Sequence, residues 1–174
     1  MDAAELRTLQ APLKARYREA PETARIPARA EAVLDLASIA CRVTAGERTV
    51  VAGLHPAAGG GGSGGSPLAC SADMLLAALA ACAGVTLAAV ATAMGLALRG
   101  GRIVAEGVWD ARGTLGVDRA APVGLTEITL TFALDTDADP ATLERLLAAT
   151  ERYCVIFQTL RTPPRVAIVS IQQH

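Results

Sequence analysis

Residues 74–98 read MLLAALAACAGVTLAAVATAMGLAL and contain no charged side chain. By length alone this segment could cross a bilayer. It is dominated by alanine, however, and interrupted by Gly84 and Gly95, and it has no flanking belt of aromatic residues. These features favour a helix buried inside a protein, with Cys70 or Ser71 at its start and Gly95 near its end. We therefore expect a buried central helix and no membrane partner.

The segments on both sides of this helix have the short apolar runs and turn residues of β-strands. Apolar and polar side chains alternate most regularly at residues 128–134, which is the period of a half-buried strand. Antiparallel strands are expected at residues 29–54 (two or three strands, with a turn at 44–47), 102–115, 125–135 and 166–171. Strands separated by helices in this order predict an α+β architecture.

The remaining segments define the domain organisation. Residues 3–18 have the spacing of a short amphipathic helix despite Pro12, and residues 1–26 are expected to form an N-terminal helical extension. Residues 27–174 are expected to form a single domain. Its Gly-rich loop, residues 57–67, lacks the Lys-Ser/Thr ending of a phosphate-binding loop and is read as a connector.

One further helix is expected late in the chain. Asp139 and Pro140 form a good N-cap and first-turn pair. From there an apolar stripe reaches Cys154 and Phe157 at helical spacing, so that Cys154 should face the core.

Composition restricts the possible functions. Lys and Arg number 16 against 17 Asp and Glu, and a net charge of -1 provides no basic surface for nucleic acid. The N-terminus lacks the pattern of a secretory signal, so a cytoplasmic, reducing location is expected, in which the four cysteines are thiols. Hydrophobic residues make up 52% of the chain and charged residues 19%, which favours burial in an obligate oligomer.

Two kinds of catalytic centre have no support in the sequence. No CxxC or HxxxH motif occurs, and His55 and His174 are isolated, so neither a metal site nor a bound cofactor is expected. A Ser-His-Asp or Cys-His hydrolase would have only His55 as its base, and no serine lies in a nucleophile-elbow motif. Thiol redox chemistry remains.

Two cysteine segments resemble the OsmC/Ohr family. SADMLLAALAACAGVTL at residues 71–87 is similar to the family's central-helix motif, whose cysteine, here Cys82, is the peroxidatic residue. ERYCVI at residues 151–156 is similar to the segment that holds the second cysteine, here Cys154. The resemblance covers residues 27–172 in element order. It implies antiparallel sheets wrapped around a buried central helix in a swapped homodimer, with active sites at the subunit boundary.

The resemblance also implies an enzyme, a cysteine-based peroxidase that reduces organic hydroperoxides in oxidative-stress defence. Cys82 would attack the peroxide, and Cys154 would resolve the sulfenic acid before it is oxidised further. An external dithiol of lipoyl or thioredoxin-like type would then reduce the disulfide. Apolar walls would favour organic hydroperoxides over hydrogen peroxide, and the residues expected to form them are Leu75, Leu79, Val85 and Phe157.

Some positions depart from the family pattern. Family peroxidases carry a glutamate ten residues before the first cysteine, and that position is Ala72 here. Asp73 is the candidate substitute. Because a helix turns about 100° per residue, however, its carboxylate should point in a different direction from a side chain at position 72. The family's thiol-activating arginine comes from the N-terminal strands, where Arg42 is preferred over Arg29 and Arg48. The alternative function is a non-catalytic OsmC-like protein that binds a small apolar ligand at the dimer interface.

Overall fold

The long apolar segment forms the central helix α2, Ser71–Met94, in a computed structural model that describes residues 1–61 and 68–172. Cys70 is its N-cap. Gly95 ends the helix as predicted, because its φ of 69° lets its backbone N–H turn back to the carbonyls of Ala91 and Thr92. Among the described residues, α2 is the one helix whose length and composition would suit a membrane span, a test that core helices also pass.

Two antiparallel sheets accompany α2. The first contains β1 (Glu31–Asp35), β2 (Ala40–Ala45) and β3 (Arg48–Gly53), with the predicted turn at Gly46 between β2 and β3. The second contains β4 (Gly100–Val108) and β5 (Glu127–Asp135), which pair along their whole length. These sheets and the helices confirm the predicted α+β class.

The other helices begin at recognisable caps. Helix α1 (Ala3–Glu19) starts with a capping box between Asp2 and Glu5, and it packs against α2. Helix α4 (Pro140–Tyr153) starts where predicted, since the Asp139 side chain accepts a hydrogen bond from the Thr142 backbone N–H at 2.9 Å. It is followed by the short helix α5 (Val155–Arg161). The division of the chain at residues 26 and 27 stays a prediction.

Two of the predicted strands differ in the structure. The strand predicted at residues 102–115 ends at Val108, because Asp110 accepts a hydrogen bond from the Arg112 N–H and starts the short helix α3 (Ala111–Thr114). Residues 166–171 are not paired as a strand, and Ile168 is 97% exposed. A strand requires a hydrogen-bonding neighbour, and the described part of this chain supplies none there. Residues 62–67 of the predicted Gly-rich loop lie outside the described residues.

The core lies along one face of α2. Its buried residues recur every four positions and pack against β4, β5, α4 and α5; they are Leu79, Ala83, Leu87 and Ala91. On another face Val85 is 73% exposed. Apolar side chains are also exposed on the sheet β1–β3 and the chain between its strands, at Val33, Leu34, Leu36, Ile39, Val50 and Val51. Within one chain the helix is therefore covered on one face, not on all sides, and the swapped homodimer stays a prediction.

Candidate active site

The structure brings Cys82 and Cys154 together. Cys82 lies in the middle of α2 and is half-buried, whereas Cys154 is 1% exposed and forms a core cluster with Leu79 and Ala83. Cys82 packs against this cluster, and the two thiols are within hydrogen-bonding reach of each other. Both are free cysteines.

The late helix is interrupted at Cys154. This residue has an extended conformation, with φ -74° and ψ 108°, and it is both the C-cap of α4 and the N-cap of α5. The first N–H groups of a helix have no acceptor inside it. Here the N–H groups of Val155 and Ile156 lie close enough to the Cys82 sulfur to lower the pKa of that thiol. The sequence pattern predicted one unbroken helix through Cys154 and Phe157, which is wrong at this residue.

These contacts make the two thiols unequal. Burial raises the pKa of Cys82, but hydrogen bonds from the Ile156 N–H, the Cys154 thiol and the Val155 N–H outweigh it, so that the pKa lies below its ordinary value. Burial raises the pKa of Cys154, and the neighbouring Cys82 sulfur raises it further. The pair therefore loses its first proton from Cys82. Cys154 remains protonated, and its S–H group can donate a hydrogen bond to the Cys82 thiolate.

The other two candidate residues lie away from the sulfurs in the single chain. Asp73 is exposed in the first turn of α2, about 13 Å along the helix axis from Cys82 at 1.5 Å per residue. Arg42 is exposed on β2, opposite Val33 and Val51 in the sheet, and its charge acts on Asp35. The groups that shift the Cys82 pKa most are those named above and Thr86, not an arginine.

A family model described as OsmC-like protein matches residues 60–169, which include Cys82 and Cys154. The chain belongs to the OsmC-like family. This confirms the resemblance drawn from the two cysteine segments. No curated protein matches the sequence.

Solved structures show the same fold at low sequence identity. An OsmC-like protein from Mycoplasma pneumoniae is 17% identical, with a TM-score of 0.64 over 79% of this chain and 89% of that chain. An organic hydroperoxide resistance protein from Elizabethkingia anophelis is 13% identical, with a TM-score of 0.62 over 80% and 91%. A Legionella pneumophila protein described as an organic hydroperoxide resistance protein is 18% identical, with a TM-score of 0.55 over 79% and 90%.

Some features of this OsmC-like site were missed in the sequence. The Thr86 hydroxyl helps to lower the pKa of Cys82, and its i+4 spacing from Cys82 on a helix could have suggested that the two side chains are neighbours. The contribution of the Val155 and Ile156 N–H groups could not be predicted from side-chain types, because these N–H groups are free only where the helix is interrupted at Cys154. Within residues 1–61 and 68–172, no group of three or more metal-ligating side chains is found.

The residues expected to form apolar walls are divided among three places. Leu79 and Phe157 pack in the cluster around Cys154, as expected. Leu75 instead lines a separate cavity of about 620 Å³ together with His55 and Trp109, whose rings meet edge to face. Val85 is exposed on α2 in the single chain. The immediate surroundings of the two sulfurs are therefore apolar on the Cys154 side.

The unequal thiols predict the pH dependence of alkylation. Because the folded pKa of Cys82 is lowered, its thiolate should persist as pH falls through the ordinary cysteine range and disappear only below that range. Iodoacetamide labelling followed by peptide mapping at a series of pH values would give the midpoint for Cys82.

Thr86→Val removes one donor to the sulfur and should move this midpoint to higher pH. Thr92→Val, at a half-buried site near the far end of the same helix, is the matched control and should leave it unchanged. A Cys82 midpoint at or above that of an unstructured cysteine peptide would contradict the assignment of the first proton.

Proposed function

We propose that the chain is a thiol peroxidase that reduces organic hydroperoxides through Cys82 and Cys154, in the cytoplasm, as part of oxidative-stress defence. The observation that carries the proposal is the contact between the two thiols, with the pKa of Cys82 lowered and that of Cys154 raised. A reactive thiolate beside a protonated second thiol is what peroxide reduction and disulfide formation require. The names of solved relatives as organic hydroperoxide resistance proteins support the substrate class.

The proposed chemistry uses each thiol once. The Cys82 thiolate attacks the terminal oxygen of the hydroperoxide and the O–O bond breaks, so that Cys82 becomes a sulfenic acid. The alkoxide that leaves takes a proton from water and departs as the alcohol. Cys154 sulfur then attacks the Cys82 sulfur, and water leaves as the disulfide forms. An external dithiol of lipoyl or thioredoxin-like type takes up the oxidation by forming its own disulfide, which returns both cysteines to thiols.

A turnover assay tests this proposal. The protein is mixed with cumene hydroperoxide and an excess of a dithiol, and the loss of hydroperoxide is followed against a sample without protein. We expect many turnovers per subunit, and faster consumption of cumene hydroperoxide than of hydrogen peroxide, because the surroundings of the sulfurs are apolar. Consumption at the background rate would exclude the peroxidase.

Two observations favour the alternative of a non-catalytic protein that binds an apolar ligand. Ala72 stands where family peroxidases have a glutamate, and Asp73 is exposed and distant from Cys82. The cavity lined by His55, Leu75 and Trp109 also has room for a small apolar molecule. A binding protein would turn no hydroperoxide over in the assay above, so the same measurement separates the two functions.

The proposal includes a homodimer, with Arg42 acting on the thiol of the second copy. Arg42 lies in a sheet whose strands contact chiefly one another within the chain. The exposed apolar side chains of this sheet and of α2 form more apolar surface than a soluble monomer ordinarily leaves uncovered. A second copy that covers them would bring β2 toward α2 of its partner.

Light scattering is expected to give twice the chain mass of 17.8 kDa at micromolar concentration. Val85→Asp should dissociate or aggregate the dimer, because it places a charge on the uncovered face of α2. Val117→Asp is a matched control, since Val117 is equally exposed at 73% but lies outside the helices and strands. A stable wild-type monomer would exclude the swapped dimer.

A further inference from the structure

The cavity at the start of α2 is separate from the two cysteines of the candidate site. It has a volume of about 620 Å³, and neither Cys82 nor Cys154 is among its described lining residues. It is surrounded by the segment after β3, the first turns of α2 and the connection between β4 and β5, with Leu160 of α5 beside them. A concave site of this volume between several segments of a fold has the size typical of small-molecule sites.

The walls of this cavity are held in place within one chain. The connection between β4 and β5 contains α3, which packs against the one-turn helix Pro56–Ala58. In the same connection, a Cβ atom at Gly113 would lie 2.4 Å from the carbonyl oxygen of Pro122, so the two backbones are in close contact. The cavity is therefore a defined feature of the folded chain and needs no second copy to form it.

The lining of the cavity is mainly apolar. Its described residues include Leu75, Leu125 and Ile128, and they include no acidic side chain, lysine or arginine. An ionised ligand would lose its hydration there without gaining a side chain of opposite charge, which is unfavourable. The lining therefore favours an uncharged ligand.

Two aromatic rings with N–H groups line the same cavity. His55 and Trp109 meet edge to face, with ring centroids 5.3 Å apart and an angle of 89° between the planes. The His55 Nδ1 atom accepts a hydrogen bond from the Ala57 N–H at 3.0 Å, so the proton of the neutral ring is on Nε2. Neither this N–H nor the Trp109 Nε1–H has an acceptor within residues 1–61 and 68–172, and neither nitrogen is sealed from solvent. Both are free to donate to a ligand.

We propose that this cavity binds an uncharged apolar carbonyl compound, a ketone or an ester, whose oxygen accepts hydrogen bonds from His55 and Trp109. The apolar body of the ligand lies against Leu75, Leu125 and Ile128. This site goes beyond the proposed peroxidase, because it uses neither thiol of the candidate site. It is expected whether or not the cysteine pair reduces hydroperoxides.

Three probes of the same shape test the class of ligand. Naphthyl methyl ketone, naphthoate and ethylnaphthalene, each substituted at the same carbon, carry a neutral acceptor, an anionic acceptor and no acceptor. Trp109 is the only tryptophan of the chain, so the single indole N–H signal in the NMR spectrum of isotope-labelled protein reports on this cavity. The Cys82→Ser variant is used, so that the result does not depend on peroxidase chemistry.

We expect the ketone to shift the indole signal saturably and to bind about tenfold more tightly than either of the other probes, because only the ketone pairs the N–H donors without burying a charge. The absence of a saturable shift with the ketone would overturn the proposal, as it would if a second copy already filled the cavity. Equal or tighter binding of naphthoate or ethylnaphthalene would overturn the assigned class of ligand. Failure of hydroperoxide turnover in the wild-type protein would leave the result standing.

Two variants test the donors separately. His55→Asn keeps an acceptor for the Ala57 N–H but no longer reaches as far as Nε2, and Trp109→Phe keeps an aromatic ring without the N–H. Each should weaken binding of the ketone about fivefold, as expected for one neutral hydrogen bond, and should change binding of ethylnaphthalene little. Calorimetry gives the affinities, since Trp109→Phe has no indole signal. Tyr153→Phe, at an exposed site outside the cavity lining, is the matched control. Wild-type affinity for the ketone in both His55→Asn and Trp109→Phe would overturn the proposal.

A further variant fills the cavity. Ala72 is half-buried and lines it, so Ala72→Phe should abolish binding of the ketone. Ala141→Phe, at an exposed site on α4 outside the cavity lining, is the matched control and should bind like the wild type. Circular dichroism verifies the fold of both variants, and the probe series in the unfilled cavity decides the question if Ala72→Phe does not fold. Unchanged binding of the ketone by folded Ala72→Phe would show that it binds elsewhere.

Discussion

Cys82→Ser is expected to reduce hydroperoxide consumption to the rate measured without protein. The serine hydroxyl is a far weaker acid than a thiol and cannot supply the nucleophilic anion at neutral pH, although it preserves the size and hydrogen-bonding sites of the side chain. The fold should be unaffected, because the sulfur is half-buried and makes no covalent bond. The measurement is peroxide loss under an excess of dithiol, with circular dichroism to verify the fold.

The other two cysteines provide the controls for this variant. Cys41 lies on β2 and Cys70 at the start of α2, where it lines the cavity that contains His55. Cys41→Ser and Cys70→Ser should each keep close to the wild-type rate. If either substitution has a larger effect than Cys82→Ser, the alignment of the central-helix motif is wrong.

Cys154→Ser is expected to convert a repeating catalyst into one that inactivates itself. The variant should still react once with hydroperoxide, because Cys82 keeps the N–H donors of Ile156 and Val155. Its sulfenic acid then has no thiol partner and proceeds to sulfinic acid when peroxide is in excess. Mass spectrometry should show Cys82 with two added oxygens, and dithiol-dependent turnover should be largely lost.

The wild-type protein provides the comparison for Cys154→Ser. One equivalent of hydroperoxide should give an intramolecular bond between Cys82 and Cys154, detectable by peptide mapping without reduction. The formation of this bond requires Cα atoms about 4.4–6.8 Å apart. Absence of the disulfide, together with full activity of Cys154→Ser, would remove the two-cysteine mechanism and leave a one-cysteine peroxidase.

Much of the architecture could be predicted from local patterns. The uncharged segment at residues 74–98 and Gly95 together predicted α2 and its end, since a glycine with positive φ is a common helix terminus. Alternation predicted β5, and Asp139-Pro140 predicted the start of α4. The pairing of Cys82 with Cys154 came from the two motifs together, because residues distant in sequence are brought into contact only by the fold.

Other features could not be read from local patterns. Residues 166–171 have the composition of a strand, but whether they form one depends on a partner edge that the described chain does not provide. The short helix α3 replaced the end of a predicted strand because the Asp110 cap outweighed the strand-like pattern. In both cases the deciding interaction involves hydrogen bonds that composition does not specify.

The sequence by itself determined the family, the α+β class and the two cysteines that define the candidate site. These depend on motifs and on periodicity, which are properties of the linear chain. Only the tertiary structure decided that the pKa of Cys82 is lowered and that of Cys154 raised, because the extended conformation of Cys154 frees the N–H groups of Val155 and Ile156 near the Cys82 sulfur. No single residue type marks such free N–H groups, because they arise from where a helix begins and ends.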